Sequence, residues 1–144
     1  MLIRPWKYED ILKISKIEEE CFPQEPWSFK MLVSSFESES FFGVLAEDDG
    51  DLAGYGGITV AADTADIDNI AVTEQYRNSG VGTAVLTKLC QIAKERGAKK
   101  VFLEVRVSNS PAISLYLKNG FNGAYARTRY YPNGEDCLVM TKQL

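Results

Sequence analysis

The chain has 144 residues, 45% of them hydrophobic and 25% charged, with a formal net charge of −4, which predicts one globular domain over residues 1–144 with a proper core. The acidic balance argues against general nucleic-acid binding, and the lack of histidine excludes Ser-His and Cys-His nucleophile pairs and every His-containing metal site. No apolar run approaches the roughly 18 residues of a membrane span, and the three widely spaced cysteines predict reduced thiols in a cytoplasmic protein.

The first part of the chain predicts a strand, two helices and a hairpin. The elements are a strand at Leu2–Trp6, a helix at Lys7–Phe22, a second helix after Ser28, and a hairpin of Phe41–Glu47 with Leu52–Val60. Pro23 ends the first helix, and Ser28 is the expected N-cap of the second. The predicted buried stripe of that second helix is Phe29, Leu32, Val33 and Phe36.

The rest of the chain alternates strands and helices before two closing strands. The elements are a strand at Ala65–Val72, a helix from Gly80 to Arg96, a strand at Lys100–Val107, a short helix at Pro111–Asn119, and strands at Gly123–Tyr131 and Asp136–Lys142. In the strand at Lys100–Val107, Val101, Leu103, Val105 and Val107 alternate with Phe102, Glu104 and Arg106. This order predicts an α/β fold with a mixed, mostly antiparallel sheet flanked by helices.

The segment from Asp66 to Thr83 predicts a strand, a polar turn and a glycine bend that opens a helix. Such a bend leaves the first backbone N–H groups of the helix unpaired, and the helix dipole adds partial positive charge there. We therefore expect this helix start to bind a phosphate-like anion. Gly80 and Gly82 would let a ligand approach the backbone, and Arg77 would supply a cation. The glycine motif of this segment matches neither a P-loop nor a Rossmann fingerprint.

Several short motifs, spread in order over the chain, carry a resemblance to a known family. The segment Arg77-Asn78-Ser79-Gly80-Val81-Gly82 resembles the acyl-CoA loop of the GCN5-related N-acetyltransferases, Arg/Gln-x-x-Gly-x-Gly/Ala. Within that family, the RimI-type protein N-terminal acetyltransferases are similar in further segments. These are NIAV at Asn69–Val72, LEVR-x-SN at Leu103–Asn109, A-x-x-LY-x-x-x-GF at Ala112–Phe121, YYP at Tyr130–Pro132, Glu135-Asp136 and Pro26-Trp27-Ser28.

The resemblance implies acetyl-CoA as the acetyl-donating cosubstrate, and we expect no metal. It implies that the backbone of Ile70, Ala71 and Val72 pairs with the pantetheine arm and that Asn109 bonds near the thiol end. The pyrophosphate would be held by the loop and helix start, namely Arg77, Asn78, Ser79, Gly80, Val81, Gly82 and Thr83. Glu104 and Tyr116 fall on the family's general base and general acid. The acceptor would contact Trp27, Tyr130 and Tyr131.

Acetylation of an amine by a thioester needs an unprotonated amine, a stabilised oxyanion and a proton for the leaving thiolate. Glu104 can take a proton from the ammonium, Tyr116 can donate one to the sulfur, and a backbone N–H near Ile70 can face the oxyanion. Spacing alone leaves other roles open. Glu104 could form a charged pair with Arg106 on a solvated strand face, and Tyr116 could be a core aromatic of a short helix.

The aromatic candidates on the acceptor side also have alternatives. Trp27 and Phe29 could be core anchors, which is the interpretation that we favour for Phe29. Tyr130 and Tyr131 are expected to point in opposite directions, because neighbours on a strand face opposite ways.

The resemblance implies that the acceptor is the N-terminal α-amine of a protein, namely a small-subunit ribosomal protein, and we expect no direct contact to nucleic acid or a membrane. One alternative on the same fold is an acetyltransferase for a small amine or a lysine side chain. A different class is a non-catalytic acyl-CoA-binding module, which would keep the acyl-CoA loop but lose Glu104 and Tyr116.

Overall fold

The computed structural model describes residues 1–144. Its seven strands form one mixed sheet. The strands are β1 Leu2–Pro5, β2 Phe41–Asp48, β3 Asp51–Ala61, β4 Thr64–Val72, β5 Lys100–Arg106, β6 Asn122–Arg127 and β7 Cys137–Gln143. The helices are α1 Ile11–Cys21, α2 Phe29–Glu37, α3 Val81–Glu95 and α4 Ser110–Lys118. The spatial order is β1-β2-β3-β4-β5-β7-β6, and only the β4–β5 pair is parallel. The predicted fold class is confirmed.

The two faces of the sheet carry different cores. One face carries 19 buried residues contributed by α3, α4 and the strands, including Leu89 of α3. The other carries a smaller core in which α1 and α2 pack near Tyr55 of β3. A Cβ on Gly56 of β3 would lie 2.8 Å from Leu89 Cδ1, so glycine at this position lets α3 lie directly on the sheet.

The parallel pair β4–β5 is short, and its strands then separate. Only three residue pairs join them, the last of which is Asp66 with Phe102. A bulge between Gly57 and Ile58 in the β3–β4 register leaves Asp68 as an extra residue of β4. Beyond Asp66, the edge of β4 that faces β5 therefore has no strand partner, and a cleft opens in the middle of the sheet.

Most element ends agree with the sequence, and the N-cap of α2 is confirmed, since Ser28 Oγ accepts from the Met31 N–H at 3.2 Å. Two apolar predictions are wrong. Phe29 is 42% exposed, because the first turn of α2 lies at the surface and only Leu32 of this helix is fully buried. Val107 is 45% exposed, because β5 ends at Arg106 and the alternation ends with it.

Candidate active site

The separation of β4 and β5 forms the floor of a large cleft, with a cavity volume of about 1220 Å³. Its walls come from β4, β5, α4, the loop between α1 and α2, and the loop between β6 and β7. The lining includes Trp27, Ile70, Glu104, Asn109, Tyr116, Tyr130 and Tyr131, so the sequence-predicted catalytic and acceptor residues are brought together.

The open edge of β4 presents backbone groups to this cleft. Thr73 N–H donates to Ala53 O at 2.9 Å, on the β3 side. Because backbone groups of successive strand residues point to opposite edges, Ala71 also faces β3, whereas Ile70 and Val72 face the open edge. Ile70 lines the cleft, and the carbonyl of Val72 already accepts from Arg77 Nε. Of the three residues expected to pair with a pantetheine arm, Ile70 thus has the most accessible backbone, and the backbone of Ala71 points away.

The start of α3 has the features of an anion site. Gly80 precedes the helix with φ 85°, a left-handed conformation that favours glycine, and a Cβ there would meet nothing within 4 Å. The backbone N–H groups of Val81, Gly82 and Thr83 form no backbone hydrogen bond. Gly82 is buried, and a Cβ on it would lie 3.0 Å from Leu115 Cδ2 of α4. Its missing side chain therefore serves helix packing.

The loop before α3 is held by its own side chains. The guanidinium of Arg77 donates from Nε to Val72 O at 3.2 Å and lies 3.7 Å from Cys21 Sγ. Ser79 Oγ donates to Tyr76 O, and Asn78 adopts a positive φ of 61°. Arg77 is thus engaged with the end of β4 and with α1, rather than contacting the free N–H groups of α3.

Glu104 lies on β5 at the cleft and is held by two donors. Tyr130 OH donates to Oε1 at 3.1 Å, and Arg127 Nε lies 3.2 Å from Oε2. The alternative of a charged pair with Arg106 is not realised, because Arg106 pairs with Glu25 and Glu135 instead. Glu104 keeps 41% of its side chain exposed, so it is accessible from the cleft.

Glu104 and Tyr116 reach the cleft from opposite faces of the sheet. The neighbours of Glu104 on β5, Leu103 and Val105, belong to the α3-side core, so Glu104 points to the α1–α2 side. Tyr116 belongs to the α3-side core, is 6% exposed and packs against Phe121 with ring centroids 5.9 Å apart. Tyr116 is therefore a core aromatic that also lines the cleft. Burial raises the pKa of its hydroxyl above the ordinary value.

Asn109 is positioned by a helix cap. Its Oδ1 accepts from the Ala112 N–H at 3.3 Å and so begins α4. The amide nitrogen remains available to donate a hydrogen bond, and the residue lines the cleft.

The acceptor side differs from the sequence prediction at one point. Tyr130 and Tyr131 both line the cleft, with ring centroids 5.2 Å apart, although they were expected to face opposite ways. The reason is that β6 ends at Arg127, so the two tyrosines lie in the β6–β7 loop, where strand alternation does not apply. Trp27 is half-buried, packs against the α1–α2 core and also lines the cleft.

Sequence reasoning missed Arg106 as the residue that joins the two acceptor loops. Its Nη1 donates to Glu135 Oε1 at 2.9 Å and to Asn133 Oδ1 at 3.0 Å, and its Nη2 pairs with Glu25. The guanidinium carbon also lies 4.0 Å from the ring centroid of Tyr131. The position of Arg106 on the polar face of β5 was visible in the sequence, but its partners are distant in the chain.

Two further acids, one buried and one half-buried, line the cleft and were not predicted. Glu18 of α1 is 1% exposed. On β4, burial raises the pKa of Asp68 to about 6. The hydrogen bond that Thr59 Oγ1 donates to Asp68 at 2.5 Å opposes this rise, and the negative charge of Asp66 adds to it. No group of His, Cys, Asp and Glu side chains is arranged to bind a metal ion, and none of the helices has the length and apolar character to cross a bilayer.

Comparison with known proteins agrees with this architecture. Residues 11–121 match the acetyltransferase (GNAT) family, and the chain belongs to that family. It is 38% identical over 140 residues to a Bacillus subtilis protein provisionally named [ribosomal protein bS18]-alanine N-acetyltransferase, covering 96% of this chain and 92% of that one. It is 37% identical over 118 residues to the [ribosomal protein bS18]-alanine N-acetyltransferase of Escherichia coli K12, covering 80% and 79%.

A solved structure shows the same fold. The crystal structure of the ribosomal-protein-S18-alanine N-acetyltransferase from Escherichia coli superposes with a TM-score of 0.89 at 34% identity, covering 99% of this chain and 92% of that one. The chain is therefore an acyltransferase of the RimI type within the GNAT family.

Proposed function

We propose that this enzyme transfers an acetyl group from acetyl-CoA to the N-terminal α-amine of a protein, and that its acceptor is a small-subunit ribosomal protein. The observation that carries the proposal is the cleft between β4 and β5, where Glu104 and Tyr116 face one opening from opposite sides of the sheet. The names of the relatives from Bacillus subtilis and Escherichia coli support the choice of acceptor.

The residues of this chain fit acetyl-CoA. The unpaired edge at Ile70 and Val72 offers backbone donors and acceptors to the amides of the pantetheine arm. The free N–H groups of Val81–Thr83, together with the open, left-handed Gly80, suit the pyrophosphate. Arg77, Asn78 and Ser79 would complete the loop, and the Asn109 amide would donate near the thiol end. When bound, acetyl-CoA supplies an activated acetyl thioester.

The proton path follows from the two faces of the cleft. Glu104 accepts the proton of the acceptor ammonium, directly or through one water, and leaves the amine nucleophilic. The N–H of Ile70 would face the acyl oxygen as negative charge develops on it; such a donor contributes roughly 2.7–4 kcal/mol in other acyl-transfer enzymes. The Tyr116 hydroxyl would donate its proton to the sulfur as the C–S bond breaks, and the second proton that the attacking nitrogen loses would restore the phenol. Because burial raises the pKa of Tyr116, the hydroxyl keeps this proton throughout the neutral range.

An α-amine suits a single carboxylate base better than a lysine does. The pKa of an α-amine is about 7.7–8.0 and that of lysine about 10.4. At pH 7, deprotonation therefore costs about 1.2 kcal/mol for the α-amine and about 4.6 kcal/mol for lysine. Trp27, Tyr130 and Tyr131 would contact the first residues of the acceptor, since they form the part of the cleft on the Glu104 side.

The proposal is tested by thiol release from acetyl-CoA with short peptides that differ only at the N-terminus. We expect turnover with a free α-amine and none with the same peptide blocked at its N-terminus. Turnover on the blocked peptide would favour a lysine acceptor. Acetyl-CoA binding without turnover on any peptide or small amine would favour the non-catalytic module.

Variants of the proposed acid and base test the mechanism in the same assay. Glu104→Gln should lower kcat by about 100-fold, which is a usual loss on removal of a general base. It should also move the pH dependence of kcat/KM. Tyr116→Phe should lower kcat to a similar extent with little effect on acceptor KM. Glu39→Gln, an exposed carboxylate outside the cleft, is the matched control. Full activity in Glu104→Gln and Tyr116→Phe would contradict the assigned roles.

A further inference from the structure

Glu18 is a buried carboxylate that the proposed mechanism does not use. It lies on α1, is 1% exposed, and forms no ion pair with a lysine or arginine. The other acids that meet the acceptor loops do have cations, since Glu104 pairs with Arg127. A buried carboxylate without a counterion is costly, so its environment must be arranged to hold it.

Donors from two neighbouring strands converge on the Glu18 carboxylate. Tyr55 OH of β3 donates to Oε2 at 3.0 Å, and Asn69 Nδ2 of β4 lies 3.5 Å from Oε1. A carboxylate has no proton and can accept on both of its oxygens at once, which a neutral amide cannot do.

These partners stand at the acceptor side of the cleft. Asn69 precedes Ile70, whose N–H faces the cleft, and Trp27 forms part of the wall on the Glu104 side. The Oδ1 atom of Asn69 is buried without a partner, so its contact with Glu18 is the hydrogen bond that fixes the orientation of this side chain. Glu18 therefore connects α1, which leads into the loop of Trp27, to the strand that bounds the reaction site.

We propose that Glu18 is a positioning residue, which holds α1, and with it the α1–α2 loop that carries Trp27, against β3 and β4 so that the acceptor side of the cleft is formed before the acceptor binds. This inference rests on the proposed function for its kinetic consequence, although the placement of the loop is a property of the protein alone. Burial raises the pKa of Glu18, and the bonds from Tyr55 and Asn69 oppose that rise.

The first test is the accessibility of Trp27 in Glu18→Gln. The chain has two tryptophans, and Trp6 is 5% exposed, so acrylamide quenching of fluorescence reports mainly on Trp27. The amide of the variant turns a donor toward the converging donors, and we expect the quenching constant of Trp27 to rise by about twofold as the loop is released. Glu19→Gln, an exposed neighbour on the same helix, is the matched control and should leave quenching unchanged.

The second test separates positioning from general destabilisation. Glu18→Gln should raise acceptor KM by about tenfold while kcat and the Kd for acetyl-CoA change by less than about twofold, because Glu18 does not touch the start of α3. Tyr55→Phe removes one donor and should give a smaller change in the same direction. The double variant should be less than additive, since both residues act through one network. Tyr55→Phe also keeps the test open if Glu18→Gln does not fold.

The outcomes are distinct. Wild-type quenching and wild-type acceptor KM in Glu18→Gln would overturn the inference. A parallel loss of thermal stability, acetyl-CoA affinity and acceptor affinity would overturn it too, because that pattern marks a general structural role. If the wild-type enzyme acetylates no peptide, the proposed function fails, and the quenching of Trp27 in Glu18→Gln and Tyr55→Phe still decides whether the carboxylate holds the loop.

Discussion

Tyr130 donates its hydroxyl proton to Glu104 Oε1 at 3.1 Å, so a loop residue 26 positions further along the chain holds the proposed base. Arg127 Nε lies at 3.2 Å from the other carboxylate oxygen. The hydrogen bond to Glu104 is also the main reason that the pKa of Tyr130 is raised. The β6–β7 loop therefore contributes to the geometry of the proposed chemistry, as well as to the wall of the cleft.

Tyr130→Phe should weaken catalysis without abolishing it. The carboxylate keeps its contact with Arg127 but loses one orienting donor, so we expect kcat/KM to fall by about fivefold, which corresponds to about 1 kcal/mol. Steady-state kinetics with a peptide acceptor measure this change. Tyr8→Phe, which removes an exposed hydroxyl outside the cleft, should behave as wild type. An unchanged kcat/KM in Tyr130→Phe would show that the hydrogen bond does not orient the base.

Arg106→Lys should loosen the acceptor side of the cleft. Arginine bonds Glu25 and Glu135 with separate nitrogens and stacks on Tyr131, and a lysine ammonium cannot reproduce that fork. We expect acceptor KM to rise by about tenfold with little change in the Kd for acetyl-CoA. Arg96→Lys, at the end of α3, is the matched control. Equal effects of the two substitutions on acceptor KM would contradict a specific role for Arg106.

Gly80→Ala should affect both stability and cofactor affinity. At φ 85° an alanine is strained, and we expect a loss of about 1–2 kcal/mol in the free energy of unfolding. Gly50, in the β2–β3 turn, has a φ of 88° and equally open surroundings, so Gly50→Ala should show a similar loss. Only Gly80→Ala should weaken acetyl-CoA binding in calorimetry. Equal Kd values for the two variants would argue against the α3 start as the pyrophosphate site.

The raised pKa of Asp68 predicts that the free energy of unfolding depends on pH. Its pKa is raised to about 6, mainly by burial, so the folded state binds a proton more tightly than the unfolded state does. The contribution of Asp68 to the free energy of unfolding is therefore fully present below about pH 4 and is lost as the pH rises through about 6. Asp68→Asn should therefore gain about 2–3 kcal/mol relative to wild type between pH 4 and pH 7 in urea unfolding. The amide oxygen can still accept from Thr59.

Asp63→Asn serves as the control for that comparison, since this side chain is exposed in the β3–β4 turn. A difference between Asp68→Asn and wild type that stays constant with pH would mean that Asp68 titrates normally in the folded protein.

The order of elements and most buried residues could be predicted from the sequence because they depend on local periodicity. The alternation of Val101, Leu103 and Val105 in β5 is one example, and the cap at Ser28 is another. The errors lie where local patterns end. Val107 follows the apolar alternation but lies beyond the strand, and Phe29 follows helical spacing but lies on an exposed first turn.

The candidate site was predictable only where a motif carried it. Glu104 and Tyr116 were assigned through resemblance, and the helix start at Gly80 was predicted from its glycine pattern as well. Their assembly depends on the separation of β4 from β5, which no local pattern encodes. Arg106 and Glu18 were missed because their partners come from distant parts of the chain. A buried, unpaired glutamate such as Glu18 looks in the sequence like any other member of the acidic run Glu18–Glu20.

The most direct test of the central claim uses one peptide that carries both a free α-amine and a lysine side chain. After incubation with the enzyme and acetyl-CoA, fragment mass spectrometry locates the acetyl group. We expect acetylation at the α-amine with the lysine unmodified, and loss of the product in Glu104→Gln. Acetylation at the lysine, or equal labelling of both amines, would contradict the account.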